Sequence, residues 1–543
     1  MKESFRQSMA WLHTWTGLIA GWILFFVFVT GTSGYFDDEI TRWMEPERPL
    51  PLQQSLSGDR EQLINTALDR LQKVAPEAQN WVVTLPHASL TPRGWHDFTL
   101  GWQDLPKRGQ AFGLRGRETL STETAAPLPP VEVRQTGGGM QLYRMHYALS
   151  YMPYPVGIRL VGLCTLLMLL ALITGVVIHK KIFKDFFTFR PNKNRRSWLD
   201  AHNLCGVMAL PFFLMITYSG LVFFAAQYMP AGIATLYGTD RPAARAFFDE
   251  LTEREGDVYL AVTRPAANIE TLLSTAEERW GEGQVASIRV EHLQGQPQHV
   301  DIERVAGDKV RYERQILRFD AADGTPLPSD PPLNATILTN ETLRALHEGI
   351  FAGPWLRWLY FFSGLLGCAM IGTGMVLWSV KRRKRNHSDS NLGHRLVEAL
   401  NLATIVGLPA GVAGYFWANR LLPLDMADRS AWEVHCLFLI FGEALLYGLL
   451  RDTRRAWVEL LFFASAAFTL LPLLNLLTTD IHLGNTLARG DWALAGVDLT
   501  FLGLGALFAY MGIKVRRRWL PSPQKATAVE QQPRVAAAAR EAH

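Results

Sequence analysis

The chain has 543 residues, with 54 Lys+Arg against 50 Asp+Glu, and its net charge of +4 is too small to point to nucleic acid. Charged residues make up 19% of the chain, below the roughly 25% of soluble domains. The 48% that are hydrophobic collect in unbroken runs such as Gly17–Val29, Val156–Ile178 and Leu460–Leu477, which exclude a soluble globular enzyme, a collagen-like fibre and a disordered chain and read as membrane-spanning helices.

Taken in chain order, the runs predict eight spans. The first, about 11–34, follows a short basic start. It is long, carries Trp11, Trp15 and Trp22, and has no A-x-A site, so it is read as an uncleaved span rather than a signal peptide. A polar segment, 35–155, follows, with a helix-like stretch Glu61–Val74 and alternating runs Trp81–Leu85 and Asp97–Trp102. Spans two and three lie at about 156–179 and 202–225. The second polar segment, 226–354, repeats the order: helix-like Ala267–Arg279, then Ile288–Leu293, His299–Val305 and Gln315–Phe319. Each polar segment predicts a small helix-on-sheet α+β module. Span four is at about 355–379, and further spans are at about 396–417, 432–450, 457–477 and 494–514. The tail, 519–543, is polar and rich in Ala and Gln, which predicts disorder. The division is therefore 1–34, 35–155, 156–225, 226–354, 355–385, 386–518 and 519–543. The fold class is mainly α: a polytopic helical membrane protein with two α+β modules inserted in a duplicated four-helix bundle.

Lys and Arg in the short loops set the expected orientation. Lys180, Lys181, Lys184, Arg190, Lys193, Arg195 and Arg196 follow span two, and Lys381–Arg385 follow span four. Arg451, Arg454 and Arg455 follow span six, and Lys514 and Arg516–Arg518 end span eight. Both termini are expected in the cytoplasm, with the two polar segments outside. Cys164, Cys205, Cys368 and Cys436 all lie inside apolar runs, with no CxxC pair, so disulfides, thiolate zinc and cysteine-bound iron–sulfur clusters are not expected.

The first four spans look like one unit used twice. His13-x-x-x-Gly17 opens span one, and Thr30-Gly31 closes it. His202-x-x-x-Gly206 opens span three, and Ser219-Gly220 closes it. Met145-His146 precedes span two, which ends Thr174-Gly175 and then His179. Leu346-His347 precedes span four, which ends Thr373-Gly374 and then Trp378. Thus His13 matches His202, His146 matches His347, and His179 is replaced by Trp378. Ionisable groups near a bilayer usually face a bundle interior.

Imidazole pairs without a neighbouring carboxylate or thiolate are poor zinc sites, because structural zinc takes four protein ligands. They suit a haem, whose ring leaves two axial positions. His13 and His202 form one cluster. His146 and His347 form another at the opposite membrane face, because 33 residues separate His146 from His179, about 50 Å of helix. Gly17, Gly206, Gly175 and Gly374 would let a flat ring approach or would simply support helix packing. Arg159 and Arg357 either pair with haem propionates or snorkel to the interface. No GxGxxG unit, Walker loop, HExxH motif or Ser-His-Asp constellation occurs, so electrons must come from quinol or a cytoplasmic partner.

The run Thr174-Gly175-Val-Val-Ile-His179-Lys-Lys-Ile-Phe-Lys-Asp-Phe-Phe-Thr-Phe-Arg190-Pro191, with Trp198-Leu-Asp-Ala-His202-Asn203, resembles PepSY-associated transmembrane proteins. So do Trp11-Leu-His13-Thr-Trp15-Thr-Gly17 and Leu346-His347. The likeness covers about residues 1–385. It implies a bacterial inner-membrane protein of the iron-regulated type, with PepSY-like modules in the periplasm. It also implies two b haems and an oxidoreductase that reduces ferric siderophore and releases Fe2+. His13, His202, His146 and His347 become the axial ligands, with His179 as an alternate on the cytoplasmic side. The helices of 386–518 go beyond the shorter family form, and His435 and His482 within them receive no role. Two rival readings are a membrane-anchored PepSY interaction or assembly protein without enzymatic activity, and a transporter component for iron chelates.

Overall fold

A computed structural model describes residues 3–48, 54–90, 93–106, 113–179, 190, 195–239, 246–247, 258–305, 310, 315–328, 335–383 and 392–519. Most of the basic loops after spans two and four, and the tail from 520 onward, lie outside the described residues. The chain divides into two units. The first comprises Met1–Pro46, Val133–Leu214 and Tyr360–His543, and the second comprises Glu47–Glu132 and Met215–Leu359.

Helices dominate the first unit. Among the described residues, seven helical stretches are long and apolar enough to cross a membrane: Ser4–Met44, Tyr154–Ile178, Pro354–Arg382, Leu392–Leu421, Arg429–Leu450, Thr453–Thr478 and Trp492–Trp519. The expected third span differs. It is two helices, Arg195–Met208 and Leu210–Phe223, bent by 67° at their junction, and the number of spans reaches eight only if the pair counts as one. Pro211 lies at the break. Its ring clashes with the carbonyl one turn earlier and it has no N–H to donate, so the helix cannot run straight through. The Leu392–Leu421 stretch contains a π-helical turn, Ala403–Gly407, followed by Pro409. It is the most enclosed of the seven, and its Leu402, Val406, Leu408 and Tyr415 pack in the main core with Phe25, Leu437, Leu461 and Phe501.

The second unit corrects the expectation of two separate modules. One seven-stranded sheet runs in the order β5-β4-β1-β6-β7-β8-β9. Its strands are β1 (Ala78–Thr84), β4 (Thr99–Asp104), β5 (Arg115–Thr119), β6 (Val285–Glu291), β7 (His299–Arg304), β8 (Ile316–Asp320) and β9 (Pro326–Leu327). A hairpin of β2 (His87–Leu90) and β3 (Arg93–His96) stands apart. The join is β1 with β6, antiparallel, with Trp81 opposite Val290 and Val83 opposite Ile288. Alternation places Trp81, Val83, Leu100, Ile288, Val290, Val300 and Ile302 on one face. The Arg60–Val74 and Ile269–Trp280 helices share a core with that face. Each helix is N-capped, Asp59 accepting from the Gln62 amide and Asn268 from the Thr271 amide. Arg60 ties the two helices together, donating to Glu270 at 3.0 Å and to Glu277 at 2.8 Å. Two half-modules with exposed β1 and β6 edges thus complete each other's sheet and remove two unpaired edges.

The His87 and His96 rings stack at 4.7 Å. Burial pushes the His87 imidazole below its ordinary 6.5, the Leu85 carbonyl acts the other way, and the His96 neighbour lowers it further. A depressed histidine value means that the folded state binds fewer protons than the unfolded one. Stability is then held above pH 6.5 and lost as the pH falls through the folded value. His87→Gln is expected to flatten the acid side of a thermal-unfolding series between pH 7.5 and 5; an unchanged slope would contradict this.

Candidate functional site

A cavity of about 760 Å³ opens among the helices of the first unit, lined by His13, Gly17, His179, His202, Gly206 and Trp378 among others. The volume lies within the roughly 300–1,000 Å³ of ligand pockets. The His13 and His202 rings approach to 6.1 Å between centroids, with planes crossed at 71°. Each ring is held through Nδ1. His13 meets the Ala171 carbonyl at 2.9 Å, and His202 meets the Met370 carbonyl at 2.8 Å. A ring that donates from Nδ1 keeps the lone pair on Nε2, the arrangement found in metal-binding histidines.

The anchoring carbonyls obey the internal repeat. Ala171 and Met370 each lie four residues before the matched glycines, Gly175 and Gly374. Thr174 Oγ1 donates to the Ala171 carbonyl at 3.1 Å, and Thr373 Oγ1 to the Met370 carbonyl at 3.0 Å. A Cβ at Gly175 would lie 3.2 Å from His13 Cε1, and one at Gly374 3.1 Å from His202 Cε1, so glycine is what admits each ring. Gly175→Leu or Gly374→Leu is expected to push the facing ring out of line and, if the pair holds a haem, to lower haem retention several-fold. Reconstitution of the purified variants with haem measures this, and retention equal to the parent would contradict it.

The residues fit a haem. An imidazole centroid lies about 3.1 Å from a metal bound at Nε2, given an M–N bond of about 2.0 Å, so two rings on one axis stand about 6.3 Å apart. The observed 6.1 Å is close to that spacing. A Cβ at Gly17 would meet nothing within 4 Å, which leaves open space beside the pair. Asp200, the carboxylate lining the cavity, is held by Arg190 through two hydrogen bonds of 3.0 Å. His179 Nδ1 is buried without a hydrogen-bond partner among the described residues, and so is Nε1 of its repeat partner Trp378.

The other two histidines lie elsewhere, each within its own unit. His146, on the Gly138–Ala148 helix, meets the Val27 carbonyl through Nδ1 at 2.8 Å. A methyl at Gly31 would collide with its ring. Burial lowers the His146 value, opposed by the Val27 bond. Val27 is fourteen residues along the first helix from His13, a rise of about 21 Å, so His146 and His13 occupy two levels of the unit. In the second unit His347 Nδ1 meets Ser219 Oγ at 2.9 Å, and its ring packs on Phe223 at 5.3 Å. Arg159 is exposed and Arg357 is buried.

The description of the PepSY-associated TM region matches residues 10–381. The chain belongs to this family. No curated protein matches it. The PepSY-associated match contains all four paired histidines and the whole repeat, and it stops short of the helices from Leu392 onward.

Those helices supply the charged groups of a network that the sequence reading missed, completed by Trp43, Gln135 and Thr136 from within the matched region. Arg429 and Glu433 are both fully enclosed and pair at 2.6 Å. Glu433 also accepts from Thr136 Oγ1 at 2.6 Å and from Asn419 Nδ2 at 2.8 Å. Arg429 donates to the carbonyls of Gln135 and Asn419. Arg420 donates to Asn419 Oδ1, to the Trp43 carbonyl and to Asn475 Oδ1, with its guanidinium 3.8 Å over the Trp43 ring. Asp498 accepts from Trp43 Nε1 at 2.9 Å and from Asn475 Nδ2 at 3.2 Å. Two arginines and two carboxylates thus sit in a satisfied, charge-balanced cluster. The available signal was Glu433 and Asp498 standing inside apolar runs. Nearby, His435 Nδ1 meets the Tyr151 hydroxyl at 2.5 Å.

Proposed function

We propose that the chain is a haem b protein of the bacterial inner membrane that reduces ferric siderophore in the periplasm. It would take electrons from quinol or a cytoplasmic reductase and release Fe2+. The crossed His13–His202 pair, with both Nδ1 atoms on backbone carbonyls, is the observation that carries this reading. His13 and His202 would hold one haem, and His146 would ligate a second at its own level of the first unit. Bound at these positions, haem supplies reversible one-electron chemistry, with a potential set by its axial ligands and their hydrogen bonds. The Ala171 and Met370 carbonyls orient the imidazoles and raise their basicity, which favours the ferric form. His179 would face the same ring as a proton-bearing or alternate ligand.

Each ferric chelate accepts one electron. Fe2+ carries less charge than Fe3+, so the hard oxygen donors of the chelate hold it less tightly. The polar segments 35–155 and 226–354 would face the periplasm and present the docking surface. The test is anaerobic mixing of dithionite-reduced, detergent-solubilised protein with a ferric trihydroxamate and a ferrous trap. The reading expects the reduced haem bands to vanish as one Fe2+ is trapped per electron. A reduced spectrum that persists, with no ferrous iron, would overturn it.

A further inference from the structure

The second unit contains a cluster that plays no part in the haem reading. β6 and β7 pair with Glu291 opposite His299 and Arg289 opposite Asp301. Their neighbours Val290, Ile288, Val300 and Ile302 fill the core beneath the helices. Glu291, His299 and Asp301 therefore stand together on the opposite face of the sheet. That face is closed here, with His299 only 1% and Asp301 only 3% exposed.

Donor atoms of the three side chains lie within 4.8 Å of one another. His299 Nε2 is buried with no hydrogen-bond partner among the described residues. It lies 3.9 Å from Glu291 Oε2, beyond hydrogen-bond reach. Nδ1 makes only a long 3.4 Å contact to the Pro297 carbonyl. A buried polar atom without a partner is destabilising, and such atoms commonly mark a missing water or ion.

The neighbouring arginines leave the donors available. Arg318 forks onto Asp301 at 2.8 and 2.9 Å, which uses one lone pair of each oxygen and leaves another. Hydrogen-bonded carboxylates of this kind are usual around metal sites. Arg289 Nη1 makes an ion pair with Glu291 at 3.7 Å, beyond hydrogen-bond distance, so it takes up no lone pair of that carboxylate, and its Nε is buried without a hydrogen-bond partner among the described residues.

We propose that Glu291, His299 and Asp301 form a site for a first-row divalent transition cation. One imidazole with two carboxylates suits Zn2+, Fe2+ or Mn2+, whereas Ca2+ and Mg2+ favour all-oxygen shells. Bonds of about 2.0–2.2 Å require the three groups to close by roughly an ångström and leave a fourth position for water. The site would cross-link β6 and β7 and stands independently of the haem assignment.

Zinc is the probe. The purified full-length chain in detergent is stripped with a chelator, equilibrated with Zn2+, gel-filtered and assayed for metal by mass spectrometry. The parent is expected to keep one zinc that Glu291→Gln and His299→Gln each lose, with affinity reduced tenfold or more. Glu291→Gln is nearly isosteric and half-buried, which keeps the test valid if the histidine variant does not fold. Equal zinc in parent and Glu291→Gln, or none in the parent, would overturn the proposal. Haem content is read from the same samples, so failure of the haem reading leaves the zinc count interpretable.

Discussion

A His202→Ala chain is expected to retain one haem b where the parent retains two, and to lose electron transfer to a ferric chelate altogether. His13→Ala is expected to do the same. The reason is geometric. Both rings are locked through Nδ1 to carbonyls on neighbouring helices, at 2.9 Å for His13 and 2.8 Å for His202, so neither can swing to compensate for the other. His179 lines the same cavity but closes the end of its helix at the repeat position that Trp378 fills in the second copy. His179→Ala is therefore expected to keep two haems per chain. Pyridine haemochrome stoichiometry separates the cases. Loss of haem in His179→Ala with retention in His202→Ala would reassign the ligand pair.

Glu433→Gln is expected to produce the largest loss of stability of any conservative change in the chain. Removing one partner of a buried pair leaves the other uncompensated, at about 3–5 kcal/mol. Arg429 would keep its carbonyl contacts to Gln135 and Asn419 but lose its counter-charge. Thr136, on the segment leading into the Gly138–Ala148 helix, would lose the anionic acceptor of its hydroxyl. A double variant, Arg429→Met with Glu433→Leu, removes both charges together and is expected to recover much of the loss. Thermal unfolding in one detergent measures all three chains. A Glu433→Gln midpoint equal to that of the parent would contradict the account.

The spans were legible because unbroken apolar runs of this length have one stable environment. The repeat was legible because it compares the chain with itself, and it pointed to the histidines. The acceptors that hold them were not legible: Ala171 and Met370 act through backbone carbonyls, which carry no side-chain signature. The single sheet was hidden for a different reason. Trp81–Leu85 and Ile288–Leu293 both read as strands, but alternation does not name a partner some two hundred residues away. The bend at Pro211 was visible as a residue, yet the apolar run continues through it and hydropathy averages over it. The buried charges of the added helices were overlooked because Glu433 and Asp498 lie in separate runs and Arg420 and Arg429 in the short segment between two predicted spans, and only folding gathers the four.

We propose that the matched imidazoles hold iron porphyrin. Electron paramagnetic resonance of the oxidised, purified protein, with haem quantified in the same sample, tests it most directly. The account predicts low-spin ferric signals of bis-histidine type that turn high-spin or vanish at one site in His202→Ala. A protein expressed with ample haem that carries none, or whose low-spin signal is unchanged by that substitution, would contradict it.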